Sequence, residues 1–280
     1  MLATVSLLVL LAHFATSLPA NTSASANDPQ IEWVACADHL PVTLQGLVPN
    51  ETLAALPSTL SCGTLRVAID YSQAFSATNS FALGFAHYGT PDATGNLFFN
   101  PGGPGTEVAS FAWMVALNVT NEFKGLETFN LTAMDIRGSF QSSQLSCSEA
   151  LYGAIPQDFP TSQEEFDQLQ AASRTWVDSC RNETGPLIDH LATTNVARDF
   201  ENLRLTLGTG KVHYMGISYG TFYGAQWISD FPDALDRVVL DGVFAHGLNN
   251  SQLVGLGVKA ANRELERADS YVLKLSLDRF

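Results

Sequence analysis

The pentapeptide GISYG at residues 216–220 constrains the fold of this 280-residue chain more than any other segment. It follows an apolar, strand-like run at 211–215 and precedes a helical pattern at 221–229. Gly216 and Gly220 would let the strand and the helix approach closely, so that Ser218 stands on a sharp turn with Oγ clear of the sheet. The alternative is a serine in an ordinary strand–helix turn. The flanking pattern favours an exposed nucleophile, Ser218, with the two glycines as structural support.

Strand and helix patterns alternate along most of the chain, which predicts an α/β fold with a mostly parallel sheet and helices on both faces. The composition, 46% hydrophobic and 15% charged, is sufficient for one large core. The segments at 64–70 and 80–88 are expected to form an antiparallel pair at a sheet edge. The other predicted strands are 96–100, 129–135, 211–215 and 235–240, and the predicted helices are 163–177, 194–207, 221–229 and 260–273.

A glycine-rich loop, NPGGPG at 100–105, continues directly from the predicted strand 96–100. Consecutive glycines expose backbone N–H groups, which can bind the oxyanion of an acyl-transfer intermediate. Gly102 and Gly103 are the candidate donors in this loop, and Tyr219, the residue after the serine, supplies the second amide. A plain Gly/Pro turn is the alternative, but the presence of GISYG later in the chain favours an oxyanion hole.

Six segments together resemble the proline iminopeptidase and tripeptidyl aminopeptidase group of α/β hydrolases. They are CGTLRVAIDY (62–71), NPGGPG (100–105), MDIRGS (134–139), TTNVARDFENLR (193–204), HYMGISYGTFYGA (213–225) and FPDALDRVVLDGV (231–243). The resemblance runs in the family's order from about residue 31 to 243. It implies the α/β-hydrolase fold and a secreted, fungal-type serine exopeptidase that releases proline or short peptides from free N-termini. It implies no metal and no organic cofactor.

The same resemblance assigns a structural role to Asp135 and Arg137, whose D-x-R-G turn is expected to brace the site through an ion pair. Two positions depart from the family pattern. Pro101 stands where proline iminopeptidases have histidine, and 106–108 reads Thr-Glu-Val where further glycines and serine are common. The expected partner is a peptide substrate, with a small acyl ester as the alternative, because the nucleophile turn alone does not separate ester from amide hydrolysis.

The acid and base that a serine nucleophile needs are not evident in this sequence. His246 is the one histidine after Ser218, and Asp241 precedes it in the formally correct order. His246 follows the neighbouring strand and does not lie on a loop from the far side of the sheet. Asp241 belongs to the matched LDGV motif, where the resemblance places no triad acid, so this triad is disfavoured. His213 is expected to be packed or hydrogen-bonded within its strand, whereas His87 and His190 are expected on the surface.

The expected organisation is therefore a C-terminally truncated hydrolase. Residues 18–245 would form the N-terminal part of the core, and 246–280 the start of a cap. On this interpretation the 280-residue chain is inactive as it stands. A non-catalytic secreted fragment is the third possibility.

Several features predict export from the cell. Residues 1–17 read as a signal peptide, with an apolar stretch at 2–14 that is too short to span a bilayer and a cleavage site near Ser17. Six N-x-S/T sequons are candidate glycosylation sites: Asn21, Asn50, Asn118, Asn130, Asn182 and Asn249. The four cysteines fit no zinc pattern and are expected to pair as Cys36–Cys62 and Cys147–Cys180, although three connectivities are possible.

The formal net charge of −14 disfavours nucleic acid and anionic membrane surfaces as partners. Its simplest consequence is solubility in the extracellular medium. The sequence leaves the oligomeric state open.

Overall fold

The computed structural model describes residues 30–156 and 159–277, with side chains as far as residue 274. The expected signal peptide and the sequon at Asn21 lie outside this part of the chain. One seven-stranded sheet organises it. Its strands are β1 (Ile31–Val34), β2 (Leu60–Val67), β3 (Phe81–Tyr88), β4 (Gly95–Asn100), β5 (Phe129–Met134), β6 (Val212–Ile217) and β7 (Leu235–Asp241).

The strand order is β1-β2-β3-β5-β4-β6-β7, in which the last four strands are parallel and the first three are antiparallel. The predicted antiparallel pair is β2 and β3. Its placement at the sheet edge is wrong, because β1 pairs with the outer side of β2. In the parallel half, Asn100 lies beside Gly216 and Ile217 lies beside Asp241. The carboxyl ends of β4, β6 and β7 therefore meet at one edge of the sheet, where α/β folds place their ligands.

Helices cover both faces of the sheet. They are α1 (Asn50–Leu53), α2 (Ala109–Ala116), α3 (Glu149–Gly153), α4 (Gln163–Thr184), α5 (Thr193–Leu207), α6 (Gly220–Asp230) and α7 (Asn250–Leu277). In α5 the buried side chains Val196, Phe200 and Leu203 recur every three or four residues, the spacing of one helix face. The helix ends at Gly208, whose φ of 66° is the left-handed conformation that glycine adopts readily.

Two apolar clusters fill the space between the sheet and its helices. On one face Phe200 of α5 stacks on Trp227 of α6 and packs against Phe98 of β4. On the other face Trp113 of α2 belongs to a cluster that also contains Phe99 of β4. Successive residues of one strand thus belong to opposite clusters, as expected of a sheet buried on both sides.

Both disulfides link segments that are close in sequence. Cys36 pairs with Cys62, which fastens the 3₁₀ turn Cys36–His39 to β2, and Cys147 pairs with Cys180 on α4. These are the two pairs predicted from the sequence, and each closes a local loop, with sequence separations of 26 and 33 residues. No cysteine in the described part of the chain is free.

Several elements differ from the sequence-based prediction. The predicted helix at 163–177 extends to Thr184, and the one at 260–273 spans Asn250–Leu277. Helix α2 was not predicted, since ASFAWMVA is apolar nearly throughout and shows no amphipathic period. No helix among the described residues is long and apolar enough to cross a membrane.

Candidate active site

Ser218 occupies the turn between β6 and α6 with a φ of 53°, a conformation that is uncommon for a residue with a side chain. Its backbone N–H donates to the Asp241 carbonyl at 2.8 Å, which fixes the turn to the end of β7. Both flanking glycines are sterically required. A Cβ on Gly216 would lie 2.5 Å from the Gly220 carbonyl oxygen, and one on Gly220 would overlap the Asn100 carbonyl oxygen. This is the strained strand–turn–helix arrangement that presents a nucleophile.

The glycine loop after β4 packs directly on this turn. Gly102 has a φ of 102°, and a Cβ there would lie 2.6 Å from the Ile217 carbonyl and 2.7 Å from the Tyr219 nitrogen. The Gly102 N–H donates to the side-chain oxygen of Asn100 at 2.9 Å, so this amide is already engaged. Within the described residues, the amides of Gly103 and Tyr219 have no hydrogen-bond acceptor. Of the two loop donors named from sequence, the geometry thus leaves Gly103 available.

Asn100, the last residue of β4, holds the start of the glycine loop through its side chain. Its side chain is fully buried. Oδ1 accepts the Gly102 N–H, whereas Nδ2 has no hydrogen-bond partner in the described part of the protein. Its carbonyl packs against Gly220. Asn100 therefore sits between the glycine loop and the start of α6, a position that sequence reasoning did not single out.

Asp135 lies at the end of β5 and is fully buried. Its Oδ1 accepts the N–H groups of Val108 at 2.6 Å and Ala109 at 3.1 Å, where α2 begins, and its Oδ2 accepts Gln141 N–H at 3.2 Å. Burial raises the pKa of Asp135 to about 6, against the opposing effect of these three hydrogen bonds. Asp135 thus fixes the start of α2.

Arg137 makes the ion pair expected of the D-x-R-G turn, with Asp199 of α5 as its partner. Nε and Nη2 each lie 2.7 Å from an oxygen of that carboxylate, and both side chains are fully buried. Nη1 donates to the carbonyls of Ile69 and His190 at 3.0 and 2.8 Å. The guanidinium therefore joins β5, α5 and the segment after β2. Asp199 belongs to the TTNVARDFENLR segment, but its role was not recognised there.

None of the described histidines hydrogen-bonds the Ser218 hydroxyl. His246 stacks on Phe222 at a centroid distance of 4.1 Å and contacts the Phe222 carbonyl through Nε2 at 3.1 Å. Asp241 meets Ser218 through its backbone carbonyl. This arrangement agrees with the view that the Ser218–Asp241–His246 order is not a working triad.

His213, His87 and His190 lie in other surroundings, and none of them hydrogen-bonds Ser218. His213 packs edge-on against Phe129 at 5.2 Å, and its Nδ1 is buried without a hydrogen bond. The expectation that His87 lies on the surface is wrong. It is half-buried in β3, 3.0 Å from the Thr132 hydroxyl, and burial lowers its pKa. His190 is half-buried rather than exposed.

The sequons differ in their surroundings. Asn50, Asn118, Asn182 and Asn249 are exposed. Asn130 instead lies within β5, where Oδ1 accepts the Thr90 N–H at 2.9 Å and Nδ2 donates to Asn96 at 3.0 Å. No group of three or more metal-ligating side chains occurs in the described ranges.

A family profile described as alpha/beta hydrolase fold matches residues 95–278. The chain belongs to this family. Its turn at Ser218 and its glycine loop both lie at the edge of the sheet where the carboxyl ends of β4, β6 and β7 meet.

Two curated relatives of this chain are named as peptidases. The chain is 30% identical over 199 residues to a tripeptidyl aminopeptidase of Streptomyces coelicolor, covering 67% of this chain and 36% of the relative. It is 30% identical over 219 residues to the serine protease Hip1 of Mycobacterium bovis, covering 76% of this chain and 39% of the relative. The chain thus spans less than two-fifths of the length of either.

Among solved structures, the chain resembles the Rv0554 protein of Mycobacterium tuberculosis, with 13% identity and a TM-score of 0.39 over 72% of this chain and 52% of that one. A similarity at this level adds nothing to the family assignment.

Proposed function

We propose that this chain carries the nucleophile and oxyanion half of a secreted serine exopeptidase that cleaves short peptides or proline from free N-termini. The observation that carries the proposal is the contact between the glycine loop and the strained serine. Gly102 packs against Ile217 and Tyr219, beside Ser218 with its φ of 53°. The names of the two peptidase relatives support peptide substrates over small esters.

The chemistry follows from the positions of these groups. Ser218 Oγ attacks the scissile carbonyl, and the developing oxyanion is held by the amides of Gly103 and Tyr219. The start of α6 lies directly behind the serine, so the helix dipole adds positive potential at the same place. The general base takes the hydroxyl proton of Ser218 and passes it to the leaving amine as the C–N bond breaks, and water activated by the same base then hydrolyses the acyl-serine and restores Ser218. Donation by rigid backbone amides requires no reorganisation as charge develops.

The general base and its orienting acid are proposed to lie in sequence beyond residue 280 of a longer protein. This explains why none of the described histidines reaches Ser218, and it agrees with the greater length of the relatives. The 280-residue chain would then be folded but unreactive, because a serine hydroxyl is a weak nucleophile without a base.

A substrate comparison tests the proposed specificity on a chain extended by its downstream coding sequence. A tripeptide anilide with a free amino terminus should be cleaved, its N-acetylated form should not, and Ser218→Ala should abolish cleavage. Proline anilide distinguishes removal of one residue from removal of three. Faster turnover of a small acyl ester, with no cleavage of either free-amine substrate, would favour the esterase alternative.

A further inference from the structure

Glu107 is a buried carboxylate two residues beyond the glycine loop, with 2% of its surface exposed. It occupies one of the positions where the sequence departs from the family pattern. Both of its oxygens are used. Oε1 accepts the Val42 N–H at 2.6 Å, and Oε2 accepts the Thr43 N–H at 2.9 Å together with the Thr43 hydroxyl. These partners are 64 and 65 residues away in sequence.

The segment that Glu107 binds, residues 36–48, is here called the N-terminal strap. It is fastened at three further points. Cys36 forms the disulfide with Cys62 on β2, the His39 carbonyl accepts the Gln141 side-chain amide at 2.7 Å, and Leu44 is buried in the apolar cluster that contains Trp113. The strap is therefore a rigid anchor and not a loose tail.

The contact with Glu107 is specific. Burying a carboxylate is costly unless hydrogen bonds replace its hydration. Val42 and Thr43 begin the 3₁₀ turn Val42–Leu44, so their N–H groups have no acceptor within that turn. The carboxylate and the start of the turn therefore satisfy each other, and neither partner is satisfied if they separate.

The glycine loop needs such an anchor. Gly102, Gly103 and Gly105 all have positive φ, and a chain rich in glycine loses much conformational entropy when it is ordered. At its start the loop is held by the bond from Gly102 to Asn100, and beyond its end Asp135 holds the N–H groups of Val108 and Ala109. Glu107 stands between these attachments and links the loop to a different part of the chain.

We infer that Glu107 is a positioning residue that clamps the glycine loop to the N-terminal strap and thereby sets the place of the Gly103 amide. The strap becomes part of the active-site framework although it contributes no group to the chemistry. This inference rests on the proposed oxyanion role of the loop.

Hydrogen exchange measured by mass spectrometry tests the clamp on the 280-residue chain itself. Glu107→Leu removes every acceptor, whereas Glu107→Gln keeps one oxygen for Val42 and an amide that can donate to the Thr43 hydroxyl. Exchange at the hydrogen-bonded Gly102 amide, read from peptides covering 100–106, and in peptides covering 36–48 should rise together by at least about tenfold in Glu107→Leu, less in Glu107→Gln, and not in α6. Glu122→Gln, which alters an exposed carboxylate, is the matched control.

Partial rescue by glutamine, confined to the loop and the strap, is the result that a merely space-filling role would not give. The inference is overturned if exchange rises in the strap alone while the glycine loop is unchanged. It is overturned equally if both Glu107 variants match the wild type. Neither result depends on Ser218 chemistry, so an unreactive Ser218 would count against the proposed function and leave this measurement intact.

Discussion

The ion pair between Arg137 and Asp199 gives the sharpest prediction about stability. Both side chains are fully buried, and Asp199 accepts two hydrogen bonds from the guanidinium, each 2.7 Å long, and one from the Tyr71 hydroxyl at 2.6 Å. Asp199→Ala leaves a buried guanidinium with no counter-charge, held by its carbonyl hydrogen bonds and its contacts with the Tyr71 and Phe81 rings. Removing one partner of a buried pair costs about 3–5 kcal/mol, a large share of the roughly 5–15 kcal/mol that stabilises a domain.

Urea unfolding at neutral pH, followed by tryptophan fluorescence with the disulfides intact, measures this loss. Asp199→Asn keeps one acceptor and should lose less, about 2–3 kcal/mol. The matched control is Asp189→Ala, which breaks the exposed pair between Arg181 and Asp189, 3.1 Å apart, and should cost less than about 1 kcal/mol. If Asp199→Ala is no more destabilising than Asp189→Ala, the assignment of this network as the brace between β5 and α5 is wrong.

Three further predictions concern the loop, its support and the glycans. Gly102→Ala should lower the free energy of unfolding more than Gly105→Ala in the same urea assay. Both glycines have positive φ, but of the two only Gly102 would place a new Cβ within 4 Å of other atoms. Equal losses would contradict the packing of the loop on the serine turn. Since burial raises the pKa of Asp135 from 3.8 to about 6, its contribution to stability should fall as pH rises through that window, by at most about 3 kcal/mol. Asp135→Asn should flatten that part of the unfolding free energy against pH, and an unchanged profile would refute the assignment. In a eukaryotic secretory host, peptide mapping should find glycan at exposed Asn118 and little at Asn130, whose side chain is hydrogen-bonded inside the sheet; full occupancy of Asn130 would show that modification precedes the formation of β5.

The parts of the fold with a clear sequence period were predictable. Strands β4 to β7 and helices α5 and α6 follow from apolar runs that alternate with amphipathic helices, and the serine turn follows from two glycines whose Cβ atoms would collide with backbone. Helix α2 was missed because both of its sides are apolar. The short edge strand β1 was missed because it has only four residues.

Long-range polar contacts were the least predictable part of the site. Asp199 lies 62 residues from Arg137, and nothing in the local pattern at either residue names the other. Glu107 could be noticed only as a departure from a glycine-rich pattern, because two of its three hydrogen bonds to the strap come from backbone amides, which every residue type except proline carries. Asn100 was hidden for a similar reason, since it holds the Gly102 amide.

Covalent labelling of Ser218 with a fluorophosphonate, with and without added imidazole, tests the central claim most directly. If the nucleophile and oxyanion loop are formed but the base is missing, the folded chain should label slowly or not at all alone. Imidazole, supplied as an external base, should then allow labelling at Ser218, and Ser218→Ala should remove it. Imidazole-dependent labelling would support the account. Rapid labelling of Ser218 without imidazole would show that a base is already present, and no labelling of the folded chain under either condition would contradict a formed nucleophile site.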